Sequence, residues 1–278
     1  MTEQNEELLI KAILNSGIKI PPMPDVLIKL KSVLADPDAG PREVATAVQH
    51  DGSISGALFR LTGSPVFGLR VRVSSVEKAV AVLGMKTALA TVRSTALQAA
   101  VEDKDHAQAL EALWAHSGRI ADLMLVALKT GPLRGIHPDL AYTLGMFHDC
   151  GIALLIKRFP SYAHTMALSH GWQDIPRLDH EYGVYHTVTG QMVAKNWLLP
   201  DEVALAIRHH HSPGASGLPE PVVKLCVLLQ FAIHLYNLGT LGEDAEWGTS
   251  WCDQARTTFG IDASDLKRWE EEALAFGA

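Results

Sequence analysis

Apolar residues recur at three- and four-residue intervals through most of the 278 residues, in segments cut apart by proline, glycine and aspartate. That spacing follows the turn of an α-helix and not the two-residue period of a strand. It appears first in Leu8, Leu9, Ala12 and Ile13, ended by Ser16-Gly17. Pro21, Pro22 and Pro24 then hold the chain extended, since each fixes φ and turns its predecessor away from helix. Asp25 is placed to cap the next helix, whose buried stripe reads as Val26, Leu27, Leu30, Val33 and Leu34 until Asp36-Pro37-Asp38 stops it. Further helices are expected over residues 41–49, 53–61, 76–83, 105–129, 138–147, 152–159, 186–197, 201–209 and 222–238. Residues 66–73 alternate weakly, but Gly63, Pro65 and Gly68 favour an ordered loop. With no βαβ alternation, internal repeat or low-complexity tract, the fold class is all-α.

Composition narrows the function classes. A chain that is 47% hydrophobic can bury one large core or two smaller ones. Its net charge of −7 argues against a general nucleic-acid binder, which usually presents a basic surface. The three cysteines, Cys150, Cys226 and Cys252, form no CxxC pair and read as reduced thiols in a cytosolic protein. Cys150 is expected to be a small core residue and not a nucleophile. No apolar run approaches the roughly 20 residues that span a bilayer. The start of the chain, with Glu3, Glu6 and Glu7, is acidic where a secretory signal begins basic. A soluble, cytoplasmic protein without membrane attachment is expected.

The chemistry-bearing residues are histidines on helices or helix ends. His148-Asp149 closes the 138–147 helix and is followed by Gly151. Adjacent imidazole and carboxylate can ligate one divalent metal, or two neighbours, if they project into a helical core. His116 shares a helix face with Leu113, Ile120 and Leu123, which directs it inward. His186 opens a helix, and His209-His210-His211 closes another. Each has an ordinary reading when taken singly: a satisfied core histidine, a helix cap, a solvated helix end. Neutral imidazole and carboxylate together suit Zn, Fe, Mn or Ni, and the lack of a cysteine set argues against a structural zinc finger.

Phe147-His148-Asp149-Cys150-Gly151 resembles the signature of the HD superfamily of metal-dependent phosphohydrolases. The run from His186-Thr187-Val188-Thr189-Gly190 through Trp197-Leu198-Leu199-Pro200 to Ile207-Arg208-His209-His210-His211 is similar to the HDOD branch, the HD-related output domain of bacterial signalling proteins. Ile20-Pro21-Pro22-Met23-Pro24, His50-Asp51-Gly52-Ser53-Ile54 and the segment from Ser75 to Gly84 resemble that family's N-terminal half. The resemblance covers roughly residues 18–213. It implies an HD-like bundle with an N-terminal helical subdomain over 1–105 and a helical core over 106–213; the composition changes after Ser212-Pro213-Gly214, and residues 214–278 read as a C-terminal helical extension. Trp247, Trp251 and Trp269 of that extension are expected to pack on the core. It also implies a divalent metal held by His116, His148, Asp149, His186, His210 and His211, and a partner protein or a nucleotide as ligand.

Departures from the superfamily bear on catalysis. Ile152 stands where catalytic members carry a lysine that meets phosphate, and Ile233 where a late aspartate would complete the metal set. His234 is one residue further on, a turn of about 100° around the helix. Gly63 replaces the usual asparagine, and no Gly-Tyr-Pro follows the histidine run, which disfavours the cyclic-di-GMP phosphodiesterase branch. The expectation is a non-catalytic signalling output or regulatory domain whose input comes from elsewhere, no receiver, kinase or GGDEF-type segment being read in these residues. The alternative is an active metal-dependent phosphohydrolase of a nucleotide, with Asp149 orienting the attacking water. An oxygen-using di-iron enzyme is weaker still, because the candidate set holds one carboxylate.

Overall fold

Helix is the regular structure throughout the described residues of the computed structural model, which are 3–67, 73–166, 171–244 and 246–277, and no strand occurs among them. The all-α expectation holds. In chain order the helices are α1 (Glu3–Asn15), α2 (Asp25–Leu34), α3 (Pro41–Val48), α4 (Gly52–Thr62), α5 (Val76–Leu83), α6 (Met85–Ala100), α7 (Ala107–Thr130) and α8 (Pro138–Phe147). Then follow α9 (Cys150–Arg158), α10 (Pro160–Met166), α11 (Ile175–Tyr182), α12 (His186–Asn196), α13 (Asp201–His209), α14 (Glu220–Thr240), α15 (Cys252–Phe259) and α16 (Ala263–Gly277). Residues 68–72 of the stretch read as a loop lie outside the described residues; Pro65–Phe67 forms a short 3-10 turn. The chain divides into two compact units, Pro21–Glu102 and Met1–Ile20 with Asp103–Ala278.

The smaller unit packs α2 on α3, α3 on α5, and α4 on α5 and α6. Two local expectations need correction. Asp25 is the first residue of α2 and Pro24 holds the cap position, so Asp25 makes no side-chain cap. Its carboxylate in the first turn still favours the positive end of the helix. The buried stripe is narrower than expected: Leu27 and Leu30 are buried, whereas Leu34 is exposed. Helix α6 was not anticipated. Its buried face is built from Thr87, Ala88, Thr91, Ser94 and similar small residues. These blur the apolar period, yet they bury well because Thr91 donates its hydroxyl to the Thr87 carbonyl one turn back, at 3.0 Å.

In the larger unit α7 packs along α8, α14 and α16, and α12 lies against α9 and α13. Two glycines set how closely these helices approach. A Cβ on Gly145 of α8 would collide with the Ala121 backbone of α7. A Cβ on Gly151 of α9 would collide with the His186 carbonyl and the Gly190 amide of α12. Backbone meets backbone at both contacts, which only glycine permits. The effect is to draw the His148-Asp149 junction against both α7 and α12.

Of the C-terminal tryptophans, Trp269 reaches the core helix α7. Trp269 is buried, stacks on Phe231 at 3.8 Å and donates its indole N–H to the Ala127 carbonyl at 3.0 Å. Trp247 and Trp251 are also buried. The statement that no apolar run nears membrane-spanning length is corrected by two segments, Pro138–Arg158 and Glu220–Thr240, which qualify by length and composition. Their apolar windows are 89% and 67% buried inside the protein, as core helices are.

The glycine contacts make a paired prediction. Gly151→Ala is expected to destabilise the protein by about 1–3 kcal/mol or more, because the opposing atoms are backbone. Gly118→Ala, in the middle of α7 with open space around it, is expected to stabilise by about 0.5–1 kcal/mol. Denaturant midpoints of the two variants check this. Equal effects of the two substitutions would contradict it.

Candidate metal centre

The predicted site residues converge. His116 comes from the middle of α7, His148 and Asp149 from the α8–α9 junction, His186 from the first turn of α12, and His210 and His211 from the end of α13. Asp149 occupies the N-cap position of α9 but makes no side-chain cap bond, so its carboxylate is turned into the core. Its Oδ2 lies 3.2 Å from His148 Nε2, and its Oδ1 lies 3.5 Å from His186 Nε2 and 3.4 Å from His210 Nε2. Two ligand groups overlap at this carboxylate: Asp149, His186, His210 and His211, and separately His116, His148 and Asp149, each with donor atoms within 4.8 Å of one another.

Several of these buried atoms have no hydrogen-bond partner among the described residues: His116 Nδ1, His148 Nε2 and Asp149 Oδ1. Leaving buried donors and acceptors unmade is costly, about 1–3 kcal/mol each. A cation shared among them removes that penalty, and the imidazole and carboxylate donor set suits a divalent transition metal. The residues present therefore fit a metal ion.

The imidazoles are held by their other nitrogens. His148 Nδ1 meets the Gly145 carbonyl and His210 Nδ1 the Ile207 carbonyl, each at 2.8 Å. His186 Nδ1 meets Asp179 Oδ2 at 2.5 Å. Each contact leaves Nε2, the nitrogen nearest Asp149, as the one with a lone pair. Anchoring of this kind fixes the tautomer and orientation of metal-binding histidines. Asp179 also accepts from the His186 backbone N–H at 3.0 Å and the Tyr162 hydroxyl at 2.8 Å. Sequence reading missed it. It lies on α11, whose Pro176-Arg177-Leu178-Asp179-His180-Glu181 run is too polar to show an apolar period. A buried aspartate in such a run leaves no local signal.

Electrostatics favours neutral His116 and His210 beside a charged Asp149 carboxylate, and acts the other way on His186. Burial first, then His148, pushes the His116 pKa down to about 3, and burial with His211 does the same to His210, down to about 3. Burial opposes ionisation of Asp149, but His148, His210 and His186 outweigh it and hold the carboxyl well below its usual range. Burial would lower His186, but Asp179 overcomes it and raises the imidazole above its ordinary value.

The cavity has a volume of about 350 Å³, and its described lining contains neither lysine nor arginine. Trp172 stacks on His116 at 4.0 Å, and Ile175 and Pro176 form an apolar wall. Ile233 faces the cavity at the position expected for a late aspartate. His234 does not replace it: its ring stacks on Trp247 at 4.8 Å and its Nε2 bonds Glu270 at 3.0 Å. The one-residue rotation around α14 turns it away from the ligand groups, with its Nδ1 3.5 Å from Asp244 Oδ2. Ile152 is fully buried in α9. Cys150 is a core residue as expected: burial and the neighbouring Asp149 push its thiol far up, and its Sγ rests 3.8 Å from the Gly190 carbonyl.

The Asp179–His186 pair carries a pH prediction. A raised folded pKa contributes stability that is fully present below the unfolded histidine value, about 6.5, and is lost as pH rises through the folded value. In metal-free protein, Asp179→Asn is therefore expected to destabilise more at pH 6 than at pH 9. Denaturation of wild type and variant at both pH values measures this, and a deficit that grows with pH would contradict it.

Residues 20–213 match the family model for the HDOD domain. Among solved structures, an HDOD domain protein with unknown function from Geobacter sulfurreducens has a TM-score of 0.67 and 23% identity, over 95% of this chain and 93% of that one. A protein from Shewanella amazonensis SB2B, provisionally named a metal-dependent phosphohydrolase, has a TM-score of 0.66 and 16% identity, over 99% of this chain and 98% of that one. At such identities the likeness is one of fold. An uncharacterized protein of Treponema pallidum (strain Nichols) is 22% identical over 222 residues, 78% of this chain, which spans 43% of that relative's length. The matched segment covers most of the chain and contains every predicted site residue, and the chain belongs to the HDOD domain family.

Proposed function

We propose that the chain is a non-catalytic HDOD output module of a bacterial signalling pathway, acting in the cytoplasm through a protein partner. The His–Asp cavity retains a divalent cation with a structural or regulatory role. The observation that carries this reading is the cavity lining, which among the described residues offers imidazoles and carboxylates but no lysine or arginine. Phosphoryl transfer needs positive charge fixed where the phosphoryl oxygens develop theirs. Here Ile233 takes the place of a ligand, and Asp244 and Glu246 line the cavity with further negative charge. A phosphate would meet acidic groups there.

A divalent ion in such a pocket supplies Lewis acidity and an acidified water. Within the chain, His116, His148, Asp149, His186, His210 and His211 are the residues to hold it, and Asp179 holds His186 in register. The imidazole-rich set favours Zn, Fe or Ni over magnesium or calcium, with Mn less well suited. The second reading, a phosphohydrolase acting on a nucleotide, is favoured by one feature: the two ligand groups share Asp149. A nucleotide held without turnover is the form of ligand binding consistent with the leading proposal.

Protein purified without added metal is expected to contain a divalent ion that His148→Ala removes, and to release no phosphate from nucleotides or cyclic dinucleotides when loaded with Mn, Fe or Zn. Metal-dependent phosphate release abolished by His148→Ala would overturn the non-catalytic reading. Absence of bound metal in wild type, even after loading, would overturn the retained site.

A further inference from the structure

The family match ends at residue 213, but the cavity continues beyond it. Glu246 lines it from the segment after α14 and sits at the N-cap of a π-helical turn, Trp247–Trp251. Both Glu246 carboxylate oxygens accept from His211 Nδ1, at 2.9 and 3.1 Å. The indole N–H of buried Trp251 donates to the same carboxylate at 3.3 Å. Asp244 fastens the turn to α14, accepting from the Trp247 backbone N–H at 3.1 Å and the Asn237 amide at 3.2 Å.

His148, His186 and His210 all find their Nδ1 partners inside the matched segment, at Gly145, Asp179 and Ile207. His211 takes its partner from outside. Glu246 thus stands to His211 as Asp179 stands to His186, a carboxylate behind an imidazole. Such partners fix the tautomer, raise ligand basicity and typically account for 10–100-fold in metal affinity.

We propose that Glu246 is a positioning residue of the metal site, holding His211 as its Nδ1–H tautomer so that the Nε2 lone pair serves a cation shared with Asp149, His186 and His210. The C-terminal extension is then a working part of the site and not only a packing element. This inference rests on the metal-site reading above. Its contribution is the second carboxylate–imidazole pair, which local sequence around His211 does not contain.

The test is Zn²⁺ affinity of the full chain, by competition with a chromophoric chelator, for wild type, Glu246→Ala, Glu246→Gln, His211→Ala and the Glu246→Ala/His211→Ala double variant. Circular dichroism and the thermal midpoint report folding. Glu246→Ala is expected to weaken Zn²⁺ about 10–100-fold, Glu246→Gln less because its carbonyl still accepts from Nδ1–H, and the double variant no more than His211→Ala alone. Trp251→Phe, which keeps the carboxylate but removes its indole donor, is expected to give a smaller loss in the same direction. It stands in if Glu246→Ala fails to fold. Affinity unchanged in both Glu246 variants, or losses that add in the double variant, would overturn the proposal while leaving the metal site standing. Failure of wild type to bind Zn²⁺ would overturn both.

Discussion

The rest of the larger unit is arranged around one carboxylate. Asp149 is buried, makes no cap for the helix it opens, and is held ionised by the imidazoles beside it. An isolated ionised carboxylate in an apolar interior is prohibitively unfavourable, so it persists only where neighbours compensate. Here the neighbours are histidines from four helices, and with their Nε2 lone pairs turned to the carboxylate the compensation would come from a cation shared between them. The helices can deliver them because Gly145 and Gly151 let α7, α8, α9 and α12 approach backbone to backbone. Removing the close approach would separate the imidazoles from the carboxylate, so packing and site chemistry are a single constraint.

Much of this is legible in the sequence because it is locally encoded. The proline and glycine breaks mark α8, α12 and α13 closely, and the position of His116 among Leu113, Ile120 and Leu123 gives its inward direction. What escapes is non-local or carried by residues with weak periodicity. Helix α6 is hidden by its threonines, serines and alanines. Asp179 and Glu246 are two carboxylates among the chain's 31 Asp and Glu residues, and nothing in their flanks separates them from surface acids. Only the fold shows that each stands behind a histidine.

The two departures read from the sequence acquire different meanings in three dimensions. Ile233 faces the cavity, so its lack of a carboxylate changes the donor set itself. Ile152 is fully buried in α9, where its side chain packs in the core. The overlap of two ligand groups at Asp149 also gives the cavity more capacity for cations than one carboxylate suggests on paper. Capacity for metal and capacity for phosphoryl transfer are separate requirements: the first rests on imidazoles and Asp149, the second also needs positive charge, and no lysine or arginine lines the cavity among the described residues.

The most direct test is anomalous diffraction at metal absorption edges from crystals of the protein as purified. The account predicts an anomalous peak within coordination distance of Asp149 and at least two of the imidazoles of His148, His186 and His210. Clear density without anomalous signal, in which water or direct carboxylate–imidazole hydrogen bonds satisfy these groups, would contradict it.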